Sequence, residues 1–66
     1  MMKKVSYIVH WPLCRKYSEI RTSFNEDTND YIIEVLDHLG RARHIYTTHF
    51  HKDMKFIVEC IQVRYA

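Results

Sequence analysis

The sequence predicts an α+β fold: one small antiparallel sheet of three to four strands, with one or two helices packed on one face. Three observations predict it. Val5, Tyr7, Val9 and Trp11 alternate with Ser6 and His10 at the period of a strand. Two β-branched and aromatic runs, residues 31–35 and 43–48, flank Asp37-His38-Leu39-Gly40, which reads as a hairpin turn with a left-handed glycine. Met54, Ile57, Val58, Ile61 and Tyr65 recur at helical spacing.

Each element follows from local chemistry. The first strand should stop at Pro12, which has no N–H to give to a ladder. Residues 12–24 carry two patterns. Leu13, Tyr17, Ile20 and Phe24, spaced four, three and four, trace one helical face, and Pro12 suits a first helical turn. Ser18, Ile20, Thr22 and Phe24 would instead line one side of a strand. The helix is preferred here. Asn25 to Asp30 is a turn by composition. Ile32, Val35, Leu36 and Leu39 also fit a helix, with Thr28 as cap and Gly40 as stop, but the matching run beyond Gly40 favours the hairpin. The last helix is expected over residues 51–61, with Asp53 in its first turn and residues 62–65 returning to an extended tail; its high Ile, Val and Cys content leaves a strand as the alternative.

The resulting order, βαββα with a short final strand, resembles a minimal ferredoxin-like layout. A four-stranded meander with one C-terminal helix is the alternative. Either way residues 1–66 are expected to form one domain. The 47% apolar and 14% aromatic content is that of a folded chain, and one glycine with one proline leaves no linker.

Composition also narrows function. Met1-Met2-Lys3-Lys4 before an apolar run imitates a signal peptide, but His10 and Pro12 interrupt the run with no small-residue cleavage site. No apolar stretch approaches the ~20 residues of a membrane span. Two cysteines, Cys14 and Cys60, are too few for a disulfide framework. A soluble, reduced, cytoplasmic chain is expected, without membrane association. The net charge of +2 supports few phosphate contacts.

The chemistry-bearing residues do not assemble into a catalytic motif. His49 and His51, two apart, would share a strand face with Thr47, and could hold zinc or nickel if Cys60 or His38 completed the set. No C-x-x-C or H-E-x-x-H accompanies them, so this is the weak metal alternative, and no cofactor is implied. Cys60, among Ile57, Val58 and Ile61, reads as a buried inert thiol. Cys14, beside Arg15 and Lys16, reads as the better nucleophile but lacks a base. Glu34 and Asp37 are expected to pair with Arg41 or Arg43 across strands. One glycine cannot build a phosphate loop. The chain is therefore expected not to be an enzyme.

What remains is binding. Tyr, Trp, Met and Arg anchor protein interfaces, and here they are plentiful for so small a core. Trp11, Arg15, Lys16, Arg41, Arg43, Tyr46 and Tyr65 are the candidate partner-binding residues. The expected function is a stand-alone protein-binding module, a regulator or inhibitor of a larger target. A phage- or mobile-element-type inhibitor of a host enzyme or defence complex would fit, as would a homodimer. The alternative is an RNA- or DNA-binding protein using Arg43, His44 and Tyr46 on a sheet face.

Overall fold

The computed structural model describes residues 5–13 and 17–65, with the backbone alone for 5–9. Four strands, β1 (Val5–Pro12), β2 (Glu19–Asn25), β3 (Asp30–Leu36) and β4 (Ala42–Thr48), precede one helix, α1 (His51–Tyr65). The strands form one antiparallel sheet in the order β1-β2-β3-β4, so each pairs with its neighbour in sequence. This is the meander, not the ferredoxin-like order. The helix expected within residues 12–24 is replaced there by β2.

The replacement has a physical reason. Ile20 and Thr22 are fully buried on one side of β2, while Glu19 and Arg21 lie half-buried on the other. That is the two-residue period of a strand, in a stretch where Thr and Ser disfavour helix. Leu13 and Tyr17, which completed the helical pattern, are buried as well, but from outside β2. The Leu13 N–H donates to the Ser18 carbonyl at 2.7 Å, and the Ser18 N–H donates to the Leu36 carbonyl at 2.8 Å. These bonds tie Leu13 to Ser18 and Ser18 to the end of β3.

Both expected turns are present. Asn29 (φ 57°) closes the β2–β3 turn and Gly40 (φ 81°) the β3–β4 turn. Asp37 organises the second. Its Oδ1 accepts from the N–H groups of Leu39 and Arg41, both at 2.9 Å. The Arg41 backbone N–H is the main reason its carboxyl is held below the ordinary value of 3.8. Glu34, expected opposite Arg41 or Arg43, instead takes Arg21 Nε and Nη2 at 3.1 and 3.0 Å across the β2–β3 pair.

The helix lies over β3 and β4. Met54, Val58 and Ile61 are its buried residues, and they meet Ile20, Ile33 and Val35 from the sheet, with Leu13 and Tyr17 at one end. The helix runs to Tyr65, past the Ile61 boundary and through the expected extended tail. Tyr65 extends it by docking edge-on against Tyr17, ring centroids 4.8 Å apart and planes at 81°.

Candidate functional site

Three aromatic side chains meet beneath the last turn of α1. Tyr17 is buried, and its Oη lies 2.9 Å from His44 Nε2, a hydrogen bond. Tyr65 stacks on the His44 ring at 6.2 Å and meets Tyr17 edge-on. His44 belongs to β4, so this cluster ties the C-terminus of the helix to the fourth strand. Beside it a shallow cleft of about 190 Å³ opens between α1 and β4, lined by Tyr46, Phe56, Ile57, Cys60, Arg64 and Tyr65 among others.

The outer flank of the helix continues the cleft. Phe56 (66% exposed) and Val63 (82% exposed) bracket the exposed Cys60, with Arg64 at the rim. On a helix the spacing 56, 60, 63 keeps these residues on one side. Beneath them β4 is an outer strand, with one side unpaired. Ile45, 60% exposed, lies on the sheet face away from the helix. An uncovered apolar stripe therefore runs alongside an open strand edge.

The two sheet edges differ. β1 carries a register irregularity between Tyr7 and Val9 and ends at Pro12, both devices that discourage further strand pairing. β4 has an irregularity only at its start, where Leu36 pairs with Ala42 and Val35 with His44. From His44 to Thr48 its ladder is regular, and the sequence His-Ile-Tyr-Thr-Thr has no Pro, Lys or carboxylate. This stretch is the more available edge.

The structure distributes the candidate residues over two flanks of α1. Tyr46 and Tyr65 lie together at the β4 cleft. Trp11 lies on the opposite flank, against Lys55, Val58, Glu59 and Gln62. Trp11, Tyr46 and Tyr65 are all partly buried against the core. Arg41 and Arg43 are exposed at the β3–β4 turn, Arg41 with its Nε 3.4 Å from Asp37 Oδ2. Arg15 and Lys16, and Cys14 with them, lie outside the described residues.

His49 and His51 do not share a strand face. His49 follows β4 in a bend and His51 opens the helix. His49 Nδ1 lies 2.8 Å from Asp30 Oδ1, and the His51 ring meets Tyr31 edge-on at 5.5 Å. His38 sits at the other end of β4, and no group of three His, Cys, Asp or Glu able to hold a metal forms among the described residues. Cys60, expected in the core, is exposed, because the buried stripe of α1 passes through Met54, Val58 and Ile61 instead.

Phe56 and Val63 were not among the candidates. The signal for them is subtractive: once Met54, Val58 and Ile61 face inward, Phe56, Cys60 and Val63 are apolar residues without a place in the core. No protein-family model, curated protein or solved structure matches the chain.

Proposed function

We propose that this chain is a protein-binding module whose docking surface is the free edge of β4 together with the outer flank of α1. The observation that supports this reading is the pairing of an unguarded strand edge with exposed Phe56, Cys60 and Val63. A strand edge offers backbone hydrogen bonds to an incoming chain, and the apolar flank offers area to bury. Regulation by occupancy, the mode of a small regulator or inhibitor, suits such a surface because it needs no catalytic group.

Charge placement favours a protein partner over a nucleic acid. Arg21 is bonded to Glu34 and Arg41 to Asp37, which reduces what either can offer a phosphate. His44 and Tyr46 face the helix, so they are no stacking platform on the open face.

The test is affinity capture by the immobilised chain, with nuclease treatment, beside the same chain carrying Phe56→Glu. Phe56 is two-thirds exposed, so the substitution leaves the fold intact within about 0.5 kcal/mol. The expected result is one stoichiometric protein, this chain or another, retained after nuclease and lost with Phe56→Glu. Retention that disappears with nuclease, or that ignores Phe56→Glu, refutes the reading.

A further inference from the structure

We infer that the occupant of this surface is a second copy of the chain, joined about a two-fold axis that pairs β4 with β4 and α1 with α1. The inference rests on the docking surface proposed above and names its partner. Four observations carry it.

The first is charge. Asp53 stands in the first turn of α1 and Arg64 in the last. Within one protomer neither has an ion-pair partner among the described residues. Asp53, Ile57, Cys60 and Arg64 are spaced four, three and four, so they form one stripe on the β4 flank. Turning this stripe upon itself antiparallel sets Asp53 against the partner's Arg64, and Ile57 against the partner's Cys60. The stripe is self-complementary, as an isologous interface requires.

The second is register. The helix pairing is centred between Val58 and Glu59. Tyr46 shares its cleft with Ile57, Cys60 and Ile61, so the middle of β4 lies beneath that same point. One axis then serves both layers. It pairs Tyr46 with the partner's Tyr46, His44 with the partner's Thr48, and Ile45 with the partner's Thr47. Side chains on each side of the joined sheet keep their faces.

The third is distance. Strands lie about 4.8 Å apart, so the axis would pass about 2.4 Å outside β4. A helix in contact with both β3 and β4 then stands beside the axis, with its two-fold copy next to it across the seam.

The fourth is area. A seven-residue strand is about 23 Å long and a 15-residue helix about 22 Å. With each layer about 10 Å thick, the flank offers roughly 450 Å² per copy, near 900 Å² in all. That is below the roughly 1,200 Å² of stable specific interfaces and in the range of weak, transient ones, so the dimer is expected to be weak.

The test uses two reciprocal charge variants of the full chain. One carries Asp53→Arg and is basic at both ends of the stripe; the other carries Arg64→Asp and is acidic at both. Far-UV circular dichroism establishes that each is folded. Sedimentation equilibrium from about 5 to 300 µM spans the strength expected for an interface of this size. It should show the wild-type chain moving from 8.1 kDa toward twice that mass. Each variant alone should dimerise at least tenfold more weakly, and an equimolar mixture should recover to within about threefold of wild type, since both cross-contacts are then opposite in sign.

A wild-type chain that stays at 8.1 kDa at the highest concentration overturns the inference, as does a dimer indifferent to both charge variants. If the chain is monomeric yet captures a different protein through Phe56, the dimer falls and the docking surface stands. If the chain neither self-associates nor captures another protein, both fall.

Discussion

Tyr65 is a candidate interface anchor in the sequence, and the structure places it half-buried beneath the helix end, so its removal separates two roles. Full burial of an aromatic ring hides roughly 150–250 Å², and about two-thirds or more of that, roughly 100–170 Å², is hidden here. At about 25 cal/mol per Å² this is about 2.5–4 kcal/mol. The edge-on contact with Tyr17 adds about 0.5–1.5 kcal/mol. Tyr65→Ala should therefore cost about 3–5 kcal/mol, as an upper figure because the unfolded chain already hides some surface. A 66-residue domain has roughly 3–10 kcal/mol in total, so this loss is a large share. Tyr65→Phe is the control. The Tyr65 hydroxyl has no hydrogen bond among the described residues, so this change should cost less than about 0.5 kcal/mol. Urea unfolding is followed by far-UV circular dichroism and by the fluorescence of Trp11, which lies against the far flank of the same helix. Protein concentration should be kept below about 1 µM so that self-association does not add stability. A Tyr65→Ala shift under about 0.5 kcal/mol would show that the last turn is not docked. Equal losses for Ala and Phe would show that the hydroxyl, not the ring, holds it.

Two further outcomes concern the β3–β4 turn. Gly40→Ala should destabilise by about 1–2 kcal/mol through backbone strain alone, since Gly40 sits at φ 81° with nothing near an added Cβ; a neutral thermal melt would refute this. The Asp37 carboxyl is held below 3.8 in the folded chain, so its stabilising share is present above that pH and lost as pH falls through the depressed folded value. Asp37→Asn should flatten that acid limb while lowering stability at neutral pH, and an unchanged acid limb in pH-dependent urea melts would refute it.

Much of the fold was legible because its determinants are local. The alternation before Pro12, the turns at Asn25–Asp30 and Asp37–Gly40, and the Met54–Ile61 stripe all coincide with observed elements. The failure at residues 19–25 is instructive. Leu13, Tyr17, Ile20 and Phe24 match a helix by count, yet Leu13 and Tyr17 reach the core from outside β2, Ile20 reaches it from within β2, and Phe24 is not part of it. Periodicity cannot tell one continuous face from two segments that contribute to one core. Thr22 held the better clue, because a β-branched residue fully buried between Ile20 and Phe24 fits only the alternation. The end of the helix was misplaced for a related reason. Val63 and Tyr65 favour extended chain locally, and contact with Tyr17 and His44, twenty or more residues away, overrides that preference.

The candidate surface was harder to read because an edge is a property of strand order. His44 to Thr48 look like a good strand whether central or terminal, and their availability appears only once β4 is found to have a neighbour on one side alone. The same ordering gives the helix flank its meaning. Phe56 and Val63 would be scattered surface residues over the middle of the sheet, where isolated exposed apolar side chains are ordinary. Beside an outer strand, Phe56 shares a cleft with Tyr46, and Val63 continues the exposed apolar side of the helix from there. The meander makes this arrangement almost unavoidable: with β4 outermost and only His49 and Phe50 before α1, the helix must begin beside that edge and return over it. The short connection that limits where the helix can go is thus what brings its uncovered side to the strand that lacks a neighbour.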